Sequence, residues 1–121
     1  MSRDSLGWLG EEIAARFLEI RGARILERGY RHRGREIDII ARDGERVLFV
    51  EVKTRRGDRR GPPASAVTRT KRQHIRSAAR GYLAGGGAGG SPVRFDVIEI
   101  AISSGGLDLG LRYIPGAFRD E

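Results

Sequence analysis

The sequence contains no cysteine, which excludes disulfide bonds and thiolate metal sites. Long hydrophobic runs are also missing, and nothing approaches the roughly 18 consecutive apolar residues that a membrane-spanning helix needs. The N-terminus lacks the charged-then-apolar pattern of a secretory signal, because Asp4, Glu11 and Glu12 interrupt its first apolar segment. We therefore expect a cytoplasmic protein without a membrane partner.

Lysine is almost absent, since Lys53 and Lys71 are the only two among 23 basic residues. With 16 acidic residues the formal net charge is +7. Arginine binds phosphate through two parallel hydrogen bonds, so this excess favours a polyanionic partner, nucleic acid ahead of acidic lipid. A GC-rich genome would explain arginine in place of lysine, but it would not explain the net excess of base.

The chain of 121 residues is short enough that we expect a single domain over residues 1–121. Periodicity predicts helices over residues 5–21 and about 65–83, with Trp8 and Tyr30 in or near the core. Strands are predicted at 23–32, 36–42, 46–54 and 93–102, a basic loop at 55–63, and a short edge strand in the tail "LRYIPGAF". This α-β-β-β-α-β order indicates an α/β fold with a mixed central sheet flanked by helices.

Charged residues interrupt the strongest of these strands. The stretch "VLFVEVKTRRG" begins as an apolar, β-branched run, yet Glu51 and Lys53 follow within it. Charges at the end of a core strand need an ionic partner, a metal or a chemical role. Because side chains alternate between the faces of a strand, these two share one face.

The Asp-Gly pair before this strand predicts a hairpin with the preceding one. A two-residue loop would pair Arg42 with Glu45 and place Asp38 diagonal to Glu51. A four-residue loop would pair Arg42 with Val47 and place Asp38 directly opposite Glu51. Both registers put the three charged side chains on one face, whereas a three-residue loop without a bulge would separate them.

Two carboxylates opposed across strands repel each other, so a positive charge must offset them. A structural ion pair with Lys53 or a nearby arginine is one explanation. A hard divalent cation is the other, because carboxylate oxygens suit Mg²⁺ or Mn²⁺. Phosphodiester hydrolysis would need such a cation, a positioned water and a second positive charge near the transition state.

The spacing of Asp38, twelve residues, and Glu51-Val52-Lys53 resembles the PD-(D/E)xK signature of restriction-endonuclease-like nucleases. Several longer segments are similar, in order and spacing, to the YraN-like family of small bacterial proteins placed in that superfamily. They are "LGEEIAARFLEIRGARIL", "REIDIIARDG", "LFVEVKTR", "AVTRTKRQHI", "RFDVIEI" and the closing "GAF". The resemblance covers almost the whole chain.

The resemblance implies a restriction-endonuclease-like fold and a role on nucleic acid. It implies that Asp38 and Glu51 are metal-binding carboxylates and that Lys53 orients or activates the attacking water. It also implies that Glu11 completes the site. On spacing alone, Glu11 is better explained as a favourable carboxylate in the first turn of a helix, and only the resemblance favours a role in the site.

Basic residues near the predicted site suggest a path for a sugar-phosphate backbone. Lys71 lies on the inward stripe of the second helix, where it could either extend past the core to solvent or point towards bound phosphate. The arginines expected to contact the backbone are Arg55 in the loop and Arg69, Arg72 and Arg76 along that helix. Asp96 in "RFDV" is expected to pair with an arginine for structural reasons.

The leading hypothesis is therefore a metal-dependent nuclease that acts on DNA, with branched or damaged DNA as candidate substrates. Asp38 and Glu51 would hold Mg²⁺, and Lys53 and Glu11 would complete the catalytic set. A nucleic-acid-binding module without turnover, or an interaction domain of a repair assembly, would carry the same basic surface. A nuclease that cuts both strands would act as a homodimer.

Overall fold

The computed structural model describes residues 5–56, 67–86, 89–103, 105 and 108–119. These residues form helices α1 (Ser5–Ile20) and α2 (Arg69–Ala84) and a five-stranded sheet. The strands are β1 (Arg24–His32), β2 (Arg35–Asp43), β3 (Arg46–Arg56), β4 (Val93–Ile102) and β5 (Leu109–Phe118). They lie in the order β1-β2-β3-β4-β5, and all neighbours are antiparallel except β3 and β4. The predicted mixed sheet flanked by helices is confirmed.

The helices cover opposite faces of this sheet, and each face has its own buried apolar cluster. Under α1, Leu18 packs with alternate residues of the strands such as Leu48 and Ile98. Under α2, Ile75 packs with the intervening residues of the same strands, such as Phe49 and Val97. We call the second surface the α2 face, and by strand alternation it carries Glu51 and Lys53. The period of two along each strand therefore divides the sheet between its two helices.

Several predicted boundaries were wrong. Helix α2 begins at Arg69, not near residue 65, because Thr68 is extended and its side chain accepts a hydrogen bond from the Lys71 N–H. Strand β3 continues through Arg55 and Arg56, which the sequence placed in a loop, because these residues pair in parallel with the end of β4. The rest of that predicted loop lies outside the described residues.

Two further corrections concern apolar segments. The tail forms a full strand of 10 residues, β5, because it pairs antiparallel with β4 along almost the whole of that strand. Trp8, expected in or near the core, is 49% exposed on α1, whereas Tyr30 packs against the α2-face cluster as predicted. No helix within the described part of the chain is long and apolar enough to cross a membrane.

The β2–β3 hairpin has the register that opposes the two carboxylates. Arg42 pairs with Val47, as in the second of the two predicted registers, and only Gly44 and the next residue remain in the turn. Gly44 has a φ of +65°, which glycine adopts without strain. The regular ladder ends at Ile39 and Val50, so the next residues along, Asp38 and Glu51, are opposed where β2 leaves β3.

The turn between β1 and β2 contains a strained residue and gives a test of the fold. Arg33 and Gly34 connect the paired residues His32 and Arg35 with φ values of +53° and +78°. Asn-Gly is the preferred pair for such a turn, whereas arginine is disfavoured at positive φ. We expect Arg33→Asn to raise the free energy of unfolding by about 0.5–1 kcal/mol in urea denaturation. The control, Arg31→Asn in the adjacent strand, should give no increase.

Candidate active site

Asp38 and Glu51 meet at the point where β2 separates from β3. Asp38 Oδ2 accepts a hydrogen bond of 2.8 Å from the backbone N–H of Val52, so its side chain satisfies a donor that β2 has ceased to pair. Strict alternation is also broken here, because Ile37 packs on the α2 face and Ile39 on the α1 face. At this break in alternation Asp38 lies beside Glu51, and the two carboxyl groups are within hydrogen-bond reach of each other.

Burial makes ionisation of this pair unfavourable. Glu51, in the middle of β3, is only 5% exposed. Desolvation, followed by repulsion from the Glu51 carboxylate, raises the pKa of Asp38 to about 8. Burial also raises the pKa of Glu51, although Lys71 and Lys53 oppose that rise. Near neutral pH and without metal, Asp38 therefore keeps its proton.

Both lysines of the chain approach the same oxygen of this pair. Lys53 Nζ is 3.9 Å and Lys71 Nζ is 3.8 Å from Glu51 Oε2. Both distances exceed that of a hydrogen bond, so the ammonium groups offset the negative charge of Glu51 without donating a hydrogen bond to this oxygen. The ion pair that sequence reasoning kept as the alternative is thus present, and Lys71 points to the site and not past the core.

Glu51 also has a buried oxygen that no donor satisfies. Its Oε1 is inaccessible and has no hydrogen-bond partner among the described residues. A buried carboxylate oxygen without a donor is costly and marks a position that a cation, water or proton would stabilise. This atom lies where the sequence predicted a metal ligand.

Helix α1 adds a third carboxylate to the surroundings of Asp38. The Glu11 carboxylate contributes to the raised pKa of Asp38 by charge repulsion, so the two groups are close enough to interact. Gly10, the preceding residue, is buried against β3. A Cβ atom at Gly10 would lie 1.8 Å from Thr54 Oγ1, so only glycine permits this approach. The Gly-Glu pair thus places a carboxylate beside the end of β3.

The carboxylates present fit a magnesium or manganese ion. No group of three or more histidine, cysteine, aspartate or glutamate side chains converges into a metal cluster within the described part of the chain. Mg²⁺, however, is usually held by one or two carboxylates together with water and substrate phosphate, not by an all-protein cage. Asp38 and Glu51, with the unsatisfied Glu51 oxygen, correspond to that arrangement.

The structure separates the predicted phosphate contacts into two groups. Arg55 lies two residues beyond Lys53 in β3, on the same face, and Arg69 is exposed in the first turn of α2. Arg72 and Arg76 instead place their guanidinium carbons 5.6 and 5.3 Å from the ring centroid of Phe118. Arg76 also donates a hydrogen bond to the carbonyl of residue 119, so this pair fastens the end of β5 to α2.

Asp96 has the structural role predicted for it. It is completely buried and accepts hydrogen bonds from Arg94 Nε at 2.8 Å, from the Tyr113 hydroxyl at 2.6 Å and from the Gly116 N–H at 2.9 Å. The Asp96 carboxylate raises the pKa of Arg94 above its usual range, and burial raises the pKa of Tyr113 to about 12. Every partner belongs to β4 or β5, so this network fastens the edge strand and takes no part in the site.

Glu99 and Arg112 lie beside the site but were not identified from the sequence. Glu99 pairs with Lys53 across the parallel strands, and Arg112 pairs with Glu99 across the antiparallel ones. Strand alternation could have assigned a face to each residue. Their nearness to Lys53 depends on the strand order, which no local pattern encodes.

Comparison with known proteins gives one consistent result. The model of the uncharacterised protein family UPF0102 matches residues 10–100, a span that contains the whole candidate site. A UPF0102 protein of Symbiobacterium thermophilum is 48% identical over 118 residues, covering 98% of both chains.

Two further relatives agree. One from Geobacter metallireducens is 47% identical over 114 residues, covering 94% of this chain and 92% of its own. Another from Chlorobaculum tepidum is 52% identical over 95 residues, covering 78% and 74%. The resemblance to the YraN-like family is confirmed by these matches. This chain belongs to the uncharacterised protein family UPF0102.

Proposed function

We propose that this protein is a metal-dependent nuclease that binds nucleic acid, DNA in the first instance, and hydrolyses phosphodiester bonds. The observation that carries the proposal is the pairing of Asp38 with Glu51 where β2 separates from β3, with both lysines of the chain beside Glu51. Carboxyl groups with perturbed pKa values cluster at functional sites, and two cations beside them suit a phosphate.

Asp38 and Glu51 would hold the cation, which when bound would polarise the phosphate oxygens and make a bound water more acidic. The Asp38 carboxyl would lose its proton when the cation binds, because a carboxyl ligand must be ionised, so binding of the cation would release a proton. Lys53 would orient the attacking water, and Lys71 would add positive charge on the side of α2. Glu11 would hold a water molecule from the side of α1.

A cleavage assay tests the proposal. Linear, nicked, flapped and four-way-junction DNA, and RNA, are incubated with Mg²⁺, Mn²⁺ or a chelator. We expect cutting that requires metal and that is lost in both Glu51→Gln and Lys53→Ala, because the first removes a ligand charge and the second a cation. Asp43→Asn, at the exposed far end of β2, is the control and should cut like the wild type.

Two results would count against a nuclease. One is the absence of cutting on every substrate with either metal. The other is cutting that persists in both variants, since a contaminating enzyme would behave in that way.

Binding without turnover is the second candidate function, and the ion pairs of Glu51 support it. Lys53 and Lys71 already offset one carboxylate, so the site is partly neutralised without a cation. The net charge of +7 would still attract nucleic acid. A module of this kind should bind in chelator, with affinity that falls steeply with salt and survives Glu51→Gln.

A further inference from the structure

A groove opens on the α2 face directly beside the candidate site. It has a volume of about 270 Å³. It lies at the C-terminal ends of β3 and β4 and at the beginning of β5. Helix α2 packs mainly on β1 and β2, so this corner of the face is left uncovered. The residues that line the groove are Arg55, Glu99, Ala101, Gly110, Leu111 and Arg112.

Two rows of residues across the strands define the shape of the groove. In one row Arg55 pairs with Ala101 and Ala101 with Gly110, so a flat floor without large side chains lies beside an arginine. In the neighbouring row Lys53 pairs with Glu99, and Glu99 pairs with Arg112. Adjacent strands are about 4.8 Å apart, so the backbone of Arg112 lies about 10 Å from that of Lys53. The groove is therefore continuous with the candidate site.

The chemistry of the walls suits one nucleotide. Arg55 lines the groove from β3 and Arg112 lines it from β5, and arginine side chains suit a phosphate. Glu99 lies between them, and its carboxylate can accept hydrogen bonds from the exocyclic amino group of a base. The floor formed by Ala101 and Gly110 permits the close approach of a flat ring. The groove is open on one side, and its volume of about 270 Å³ is enough to seat one base.

We infer that this groove binds the unpaired nucleotide next to the scissile phosphate, so that the protein selects nucleic acid with a single-stranded segment at the cleavage point. The inference rests on the proposed function for the position of the scissile phosphate. A base inside a duplex can reach such a groove only after unpairing and unstacking, which costs energy. Flaps, bulges and strand ends provide an unpaired nucleotide without that cost.

Binding measured in chelator tests the groove separately from cleavage. A labelled single strand and the same strand annealed to its complement are titrated by fluorescence anisotropy with the wild type and with Gly110→Val. A Cβ at Gly110 would meet only Ala101 Cβ, at 3.8 Å, so the fold accepts the larger side chain while the groove is filled. We expect about tenfold weaker binding of the single strand and less than about a twofold change for the duplex.

A charge variant and two controls complete the design. Arg112→Ala should lower the slope of the logarithm of affinity against the logarithm of salt by about one for the single strand. Gly89→Val enlarges an exposed glycine with no neighbour within 4 Å, and Arg46→Ala removes an exposed arginine at the opposite end of β3. Neither control should change the preference for single strands.

The outcomes separate the two proposals. Loss of single-strand preference in Gly110→Val, without any cutting by the wild type, would support the groove as a binding site for an unpaired nucleotide and would overturn the proposed nuclease activity. Metal-dependent cutting with unchanged single-strand binding in Gly110→Val and Arg112→Ala would overturn the groove and uphold the nuclease. Equal weakening of single-strand and duplex binding would also overturn the groove, because it would indicate a general electrostatic or structural effect. Thermal melting of each variant verifies that it is folded.

Discussion

Asp38→Asn should give a protein that is inactive as a nuclease and more stable than the wild type. Asparagine keeps an oxygen for the Val52 N–H and can donate to Glu51, so it reproduces the protonated form of Asp38. It cannot supply the negative charge that a divalent cation requires. We expect metal-dependent cleavage to fall by at least about a thousandfold, while the free energy of unfolding rises at neutral and alkaline pH.

The gain in stability should depend on pH in a defined way. Below the unfolded-state pKa near 3.8, Asp38 is protonated in both states, so the substitution has no electrostatic advantage. Between 3.8 and about 8, the unfolded state loses its proton first, so the stability of the wild type falls as pH rises. One pKa unit corresponds to about 1.4 kcal/mol, which sets an upper limit of about 6 kcal/mol on the difference. We expect at least about 2 kcal/mol at pH 8.

Urea denaturation of the metal-free proteins from pH 3.5 to 8.5 would measure this difference. Groups common to both proteins cancel when the variant is compared with the wild type at each pH. Asp43→Asn, exposed at the other end of β2, should show no growing advantage. An advantage of Asp38→Asn that is absent at pH 8, or that is equally large at pH 3.5, would show that Asp38 is not held protonated in the folded state.

Gly10→Ala should destabilise the fold although alanine is the better helix former. Its Cβ would lie 1.8 Å from Thr54 Oγ1 and 2.8 Å from Thr54 Cβ, so α1 has to move away from β3. Overpacking of this kind costs about 1–3 kcal/mol or more, against about 1 kcal/mol gained in helix propensity. We expect a net loss of about 1 kcal/mol in unfolding free energy. Cleavage should fall in protein that is still folded, because Glu11 moves with the helix.

A double substitution distinguishes this collision from other causes. Thr54→Gly removes all three side-chain atoms that the new methyl group would meet, so Gly10→Ala should cost about 2 kcal/mol less in that background. Gly89→Ala, at an open position, should leave stability within about 0.5 kcal/mol of the wild type. Equal costs of Gly10→Ala in the two backgrounds would refute the proposed contact.

Strand alternation and local spacing account for what could be predicted of the candidate site. Asp38, Glu51 and Lys53 were placed on one face by a period of two that needs no tertiary information. The hairpin limited the register to two choices, and the structure selects the one that opposes the carboxylates. The predicted start of α2 was wrong because the cap at Thr68 sets it. The predicted end of β3 was wrong because pairing with β4 extends the strand through its basic residues.

The sequence by itself determined the elements, the charged face of β3 and the family, because these depend on residues close together in the chain or on similarity along it. Only the tertiary structure decided that Lys71 reaches Glu51, that Gly10 brings α1 against Thr54, and that Arg112 lies two strands from Lys53. Each of these contacts depends on strand order and helix placement. Those are fixed by the burial of both apolar faces of the sheet at once, which no local pattern contains.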